Sequence, residues 1–352
     1  MIVKDEEQVI GRALDSIKDI VDEIIIVDTG STDRTKEIVR EYTPEVYDFQ
    51  WINDFSAARN YAFSKATQEY ILWLDADDVL LAEDGVKLKN LKETLSPTTD
   101  VVMMKYNVGF DNQGNVTMSY FRERLVKKAR NYQWKEAVHE YLEIYGEIIN
   151  TEIAITHKKE KAAAANRNIL IYEAMLAKGT PLTARGRFYY ASELYYNQRY
   201  EEAIKQYTEF LDAEKGWVED NITACYHMAI SYQALKDGKN ALKALLRSFT
   251  YDIPRAEICC MLGDHYVEEG AYEKAILWYK LATELKKPTE NWGFIHHDCW
   301  GYLPNIQLCV CYYRIGNIEK AIEYNNRAAA FKPNDSAVLH NKNFFESYLH
   351  RE

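Results

Sequence analysis

The chain has 352 residues, and 43 lysines and arginines against 54 aspartates and glutamates leave a formal charge of −11. That length suits about two domains, and 47% hydrophobic with 28% charged residues is the balance of a chain that packs a core rather than staying disordered. The acidic balance disfavours nucleic acid and anionic lipid, no stretch reaches the ~18 apolar residues of a membrane span, and the first six residues lack a signal-peptide layout, so a cytoplasmic protein is expected.

From Met1 to about Ile155, short apolar runs alternate with helical patterns, the sign of a sheet with crossover helices. The opening strand, Met1–Lys4, is shorter than the usual ~5 to 6 residues, so a natural start further upstream is expected. Ile24–Val27 is a β-branched run ending in Asp28-Thr29-Gly30-Ser31 and reads as a buried parallel strand. A helix follows Asp33 to about Glu41, and Asp54 caps a second helix carrying Ala57, Ala58, Tyr61, Ala62 and Ala66. The next parallel strand is Tyr70–Leu74, followed by Asp75-Ala76-Asp77-Asp78.

In open α/β sheets ligands bind beyond the carboxyl ends of the strands, where Asp28 and Asp75 to Asp78 fall. Three carboxylates in four residues repel one another unless a cation joins them. A divalent ion with oxygen ligands, Mn²⁺ or Mg²⁺, would do so and could bridge the phosphates of a nucleotide. The plainer alternative is that Asp77 and Asp78 cap the next helix.

Beyond about Ala162 the strand signal stops. Ala241 to Ala275 and Pro254 to Pro288 are both 34 residues apart, with Gly238, Gly270 and Gly316 placed as turns between paired helices. Ala203, Ala241, Ala275 and Ala321 are small enough to let those helices approach closely. The spacing Ala275 to Ala321 is 46, which places an aromatic insertion at about 289–303, where Trp292 and Trp300 are candidates for gripping a ligand. His296, His297, Cys309 and Cys311 do not make a zinc site, because residues two apart on a helix face different ways. All six cysteines lie in this half and read as buried, reduced thiols.

Ile26–Asp33, then Ala58-Arg59-Asn60, then Leu74–Asp78 together resemble the motifs of family 2 glycosyltransferases. The resemblance implies an α/β GT-A domain, Rossmann-like and built for nucleotide-diphospho-sugars, over 1–160. A linker helix at 161–182 and an all-α tetratricopeptide solenoid over 183–352 would follow. Such fusions include the sublancin-type peptide S-glycosyltransferases of bacteria. The implied activity is metal-dependent, inverting transfer from a nucleotide-sugar, commonly a UDP-sugar, to a peptide, protein or glycan held by the repeats.

By the same resemblance Asp28 binds the base, Glu6 lies beside the ribose, and Arg59 sits near the base or diphosphate. Asp75 and Asp77 form the D-x-D pair, with Asp77 the direct metal ligand and Asp75 nearer the ribose and sugar. His157 occupies the place of a further metal or phosphate ligand, and Lys161 and Arg167 would hold the diphosphate. The segments Phe121–Val126 and Tyr132–Glu140 resemble the acceptor side, with Trp134 in contact with the acceptor. An acceptor hydroxyl or thiol must lose a proton to a base, for which a carboxylate is suited, so Glu140 is the first candidate and Glu136 the second, while His139 is either a further candidate or an ordinary histidine. Two other readings compete: a haloacid dehalogenase-like phosphatase using Asp75 and Asp77, and a non-catalytic repeat adaptor with a degenerate transferase domain. A homodimer through the solenoid is a further expectation.

Overall fold

Short β-branched runs give the first strands: β1 (Ile2–Val3), β2 (Ile26–Asp28) and β3 (Val46–Asp48) pair in parallel in the order β1-β2-β3. Helices α1 (Ile10–Asp15) and α2 (Thr35–Arg40) connect them, burying Ile10, Leu14 and Val39 against Val3 and Ile26. The computed structural model describes residues 1–158, 166–288, 293 and 295–349. Its first compact unit runs Met1–Gly186 and its second starts at Arg187.

Asp54 caps α3 (Phe55–Lys65) by accepting from the Ala57 N–H at 2.9 Å, as the sequence predicts. The expected parallel strand over 70–74 differs: β4 (Tyr70–Leu72) is shorter and pairs antiparallel to β7. After it come β5 (Asp78–Leu80), α4 (Ala82–Thr94), β6 (Val101–Phe110), β7 (Val116–Lys127), the small hairpin of β8 (Trp134–Lys135) and β9 (Tyr141–Leu142), and β10 (Ile148–His157). Strand order is β7-β6-β10-β5; β6 and β10 are parallel, whereas β7 and β5 run antiparallel to their neighbours. The sheet is therefore mixed, and the parallel reading holds fully only for β1 to β3.

Period-two alternation explains why β6 sits centrally: Val102, Met104 and Tyr106 enter one core with Leu74, Leu80 and Ile155, and Val101 and Met103 enter the other with Trp73 and Trp134. The unit ends with α5 (Arg167–Ala177).

The second half is helical: α6 (Ala184–Tyr196), α7 (Tyr200–Asp212), α8 (Val218–Ala234), α9 (Gly238–Arg247), α10 (Ala256–Glu268), α11 (Tyr272–Glu284), α12 (Tyr302–Arg314), α13 (Ile318–Phe331) and α14 (Ser336–Leu349). Ala203, Ala241, Ala275 and Ala321 are all fully buried. Each pair turns through the same motif, a C-terminal bond spanning five residues: Arg199 N–H to Leu194, Asp237 to Tyr232, Ala271 to Tyr266 and Asn317 to Tyr312. The left-handed residue inside that turn is Gln198, Lys236, Gly270 or Gly316. Gly238 is thus not the turn residue that the spacing suggested; it opens α9, and Lys236 takes the strained position two residues earlier.

All six cysteines are buried and free. Among the described residues no helix is long and apolar enough to cross a membrane.

Candidate active site

Asp28 ends β2 at 1% exposure, and its Oδ1 accepts from the N–H groups of Gly30 and Ser31 at 2.9 Å each. Gly30 has φ +105, which permits this tight turn back onto the carboxylate. The other oxygen, Oδ2, is buried and has no hydrogen-bond partner among the described residues. A buried carboxylate oxygen left open is costly in the free protein and suits a ligand that brings an N–H donor. The segment after β1 is fastened to the same loop: Asp5 Oδ1 accepts from Thr32 N–H (2.6 Å), Glu7 Oε2 from Arg34 N–H (3.1 Å), and the Glu6 N–H donates to Thr35 Oγ1 (2.7 Å). Glu6 therefore lies beside the Asp28 loop.

Asp75 to Asp78 form a closed turn between β4 and β5, in which Asp75 N–H donates to Asp78 Oδ2 (3.1 Å) and Asp78 N–H to the Asp75 carbonyl (3.1 Å). Neither carboxylate caps α4, whose N-cap is Leu81, so the capping alternative is not what the chain does. Asp78 is fully buried and saturated: Arg124 Nη1 lies 2.9 Å from Oδ2, and the Tyr106 hydroxyl donates to Oδ1 at 2.8 Å. Antiparallel pairing of β10 with β5 sets His157 opposite Asp78, with Nδ1 3.5 Å from Asp77 Oδ1, 3.4 Å from Asp78 Oδ1 and 2.9 Å from the Tyr106 hydroxyl. Since that hydroxyl donates to Asp78, it accepts from His157, which assigns the ring proton to Nδ1 in the neutral ring and leaves Nε2 open.

Asp77, Asp78 and His157 are the group of donors close enough to hold a metal among the described residues. With Asp78 committed to Arg124 and Tyr106, the Asp77 carboxylate and the His157 ring are the donors of this group that remain. That suits a hard divalent ion that completes its shell with water and substrate oxygens, and a ligating histidine held through its other nitrogen is the usual second-shell arrangement. Burial, reinforced by Asp75 and Asp78, raises the Asp77 pKa, while the hydrogen bond to Asp78 raises that of His157.

Asp75 stands outside that group. Its Oδ1 accepts from Arg59 Nη2 at 2.6 Å, and Arg59 Nε donates to Glu140 Oε1 at 2.6 Å. Burial alone would lift the Asp75 pKa, but the charges of Arg59 and Arg124 outweigh it and hold the group well below the ordinary carboxylate range. The guanidinium of Arg59 is 10% exposed and lies against Trp73 (5.1 Å) and Trp134 (4.8 Å).

The expected residues thus divide. Asp75, Arg59 and Glu140 meet; Asp77 meets His157. Arg59, expected at the base or diphosphate, is neutralised on both sides by carboxylates. Glu136 turns away, accepting from Thr183 Oγ1 at 2.5 Å, because its positive φ of 69 redirects the chain after β8. Trp134, expected to meet the acceptor, is 2% exposed and packs edge-on against Trp73 and Phe63; it walls the site and offers no surface. Trp300 donates its indole N–H to Glu257 at 2.8 Å and so ties the insertion to α10. Arg167 opens α5 over the Phe55 ring at 4.6 Å. Lys161 and Trp292 lie outside the described residues.

Sequence reasoning missed Arg124, Tyr106 and the structural role of Asp78. Arg124 is fully buried against Trp73 (4.0 Å) and Tyr106 (4.3 Å), with Nε and Nη2 unpartnered among the described residues. A signal was present: a strand reading Phe-Arg-Glu-Arg-Leu puts Arg122 and Arg124 on one face, and a buried arginine needs a carboxylate.

Residues 1–145 match the family described as Glycosyl transferase family 2, and residues 256–289, which hold α10 and α11, match a tetratricopeptide repeat. The chain therefore carries a family 2 glycosyltransferase domain at its N-terminal end and a tetratricopeptide repeat in its helical half. It is 48% identical over 90 residues to a TPR repeat-containing protein of Synechococcus elongatus, covering 26% of this chain and 22% of that one. Over 98 residues it is 39% identical to the SPbeta prophage-derived glycosyltransferase SunS of Bacillus subtilis, covering 27% and 23%. An uncharacterized glycosyltransferase of Rickettsia typhi is 36% identical over 83 residues, covering 24% and 28%. The matched stretches span about a quarter of the length of these relatives.

Proposed function

We propose that this chain is a metal-dependent, inverting glycosyltransferase that moves a sugar from a nucleotide-sugar, a UDP-sugar by preference, to a hydroxyl or thiol of a peptide, protein or glycan. The carrying observation is the placement of the His157 ring beside the Asp77 carboxylate, Nδ1 to Oδ1 3.5 Å, with Tyr106, Asp78 and Arg124 forming a fixed layer behind them.

In this reading Asp28 Oδ2 accepts an N–H of the base, and Asp75 faces the ribose and sugar. Asp77 and His157 would hold Mn²⁺ or Mg²⁺, which when bound supplies positive charge to the departing diphosphate. Glu140 takes the proton of the acceptor, whose oxygen or sulfur forms the new bond to the anomeric carbon as the bond to the diphosphate oxygen breaks. One such displacement inverts the configuration. Arg59 keeps Glu140 and Asp75 in place, and the tryptophans beside it exclude water. The repeat half would bind the acceptor.

The test is calorimetry and donor hydrolysis with UDP-sugars and Mn²⁺. Metal-dependent UDP binding and slow hydrolysis, both reduced at least ~10-fold in Asp77→Ala, are expected. Turnover of a simple phosphomonoester with no use of any nucleotide-sugar would replace this reading with a phosphatase.

A further inference from the structure

The helical unit contains a cavity of about 340 Å³ lined by Gln233, Met261, Asp264, Val267, Glu268 and Gln307. These residues come from α8, α10 and α12, the first helices of three successive pairs, so the cavity lies on the face those helices share. Its chemistry is unusual for an acidic protein surface. Met261 is buried and Val267 half-buried, giving an apolar wall. Asp264 Oδ1 accepts from the hydroxyl of Tyr279 at 2.5 Å, and neither Asp264 nor Glu268 forms an ion pair with any described residue. The side-chain amides of Gln233 and Gln307 have no protein partner among the described residues either. Burial pushes the Asp264 carboxyl up, the Tyr279 hydroxyl offsets part of this, and the nearby Glu268 charge adds to the rise.

We propose that this cavity binds a lysine or arginine side chain of a peptide or protein partner. The aliphatic stem would lie along Met261 and Val267, as long cationic side chains do on apolar surface. The cationic head would meet Asp264 and Glu268 and relieve their repulsion. The two glutamines, one on each flanking helix, supply both a donor and an acceptor for the main chain around that residue, which favours a peptide over a free amine. The charge complementarity of an acidic, cation-free cavity identifies the occupant. The inference concerns the helical unit alone and stands apart from the transfer reading, since binding here needs neither donor nor metal.

The experiment uses the full chain and small probes: N-acetyl-lysine methylamide, its arginine and norleucine counterparts, and n-butylamine, followed by saturation-transfer NMR and titration. The lysine and arginine probes should bind about tenfold more tightly than norleucine and n-butylamine, weaken with added salt, and lose about tenfold in affinity in both Asp264→Asn and Glu268→Gln. Asn keeps an acceptor for Tyr279 and Glu268 is exposed, so circular dichroism of both variants should match the parent. Equal binding of norleucine, no loss in either variant, or no saturation transfer to the cationic probes would overturn the site. Equal binding of n-butylamine would overturn its assignment to a peptide.

Discussion

The Nε of Arg59 donates to Oε1 of Glu140 at 2.6 Å, although 81 residues separate them in the chain. The same guanidinium reaches Asp75, so one cation holds a residue of the D-x-D turn and the candidate base in fixed relation. A guanidinium can serve two carboxylates at once because its donors form a planar fork; an ammonium is a point charge on a flexible stem.

Arg59→Lys should therefore be a poor substitute. It keeps the charge yet cannot hold both partners, so donor hydrolysis is expected to fall at least ~10-fold while UDP affinity changes little. Arg59→Ala leaves Glu140, 12% exposed, without its ion-pair partner while Asp75 keeps the charge of Arg124 nearby, and should lower unfolding stability by about 3 kcal/mol in urea titration. Glu140→Gln, which keeps a hydrogen-bond acceptor for Arg59, should fold normally and bind UDP but lose transfer. Transfer at the parental rate in Glu140→Gln would remove Glu140 as the base.

Asp28→Asn isolates the open oxygen. The new amide can still accept from Gly30 and Ser31 through its carbonyl, but it presents NH₂ where Oδ2 stood. UDP affinity measured by calorimetry is expected to drop ~10- to 100-fold, the value of a charged hydrogen bond lost and a donor set against a donor. An unchanged affinity would place the base elsewhere.

Much of this was legible from local chemistry and little from long-range geometry. Asp54 as a cap, Asp28 at a strand end and the four buried alanines follow from sequence patterns that act within a few residues. The mixed sheet did not, because Tyr70–Leu72 has the same apolar character whichever way its partner runs, and only pairing with β7 decides. Trp134 was misplaced for a related reason: an aromatic in an acceptor-side segment looks exposed until Trp73 and Phe63 close around it. His157 was nominated by family resemblance, but its partnership with Asp78 depends on the register of β10 on β5, which no local signal carries. The repeat turn shows both sides, since Gly270 and Gly316 mark it openly whereas Gln198 and Lys236 adopt the same left-handed conformation with no compositional hint.

Gly263 offers a stability test inside the solenoid. A Cβ added there would sit 2.5 Å from ring carbons of Tyr279, which is fully buried and cannot swing aside. Alanine gains about 1 kcal/mol in helix propensity, but overpacking costs about 1–3 kcal/mol. Gly263→Ala should therefore lower the melting temperature of the helical unit, and the double variant Gly263→Ala with Tyr279→Phe should not rescue it, because the clash is with the ring and not the hydroxyl.

A pH dependence follows from His227. It is 9% exposed, stacked on Tyr195 at 4.3 Å, with Nδ1 2.7 Å from the Tyr207 hydroxyl, which in turn meets Ser192 Oγ at 2.9 Å. Burial, aided by His296, lowers its pKa to about 3, from an ordinary value of 6.5. The neutral ring is thus the native form, and the unfolded chain binds a proton that the folded chain refuses between those two values. Above pH 6.5 the residue is neutral in both states and costs nothing; as pH falls from there toward 3, stability declines by roughly 1.4 kcal/mol per unit. Urea titrations of the full chain between pH 7 and 5 should show this loss, with a shallower slope in His227→Gln, which cannot be charged. Equal slopes in parent and variant would mean that the ring is protonated inside the fold.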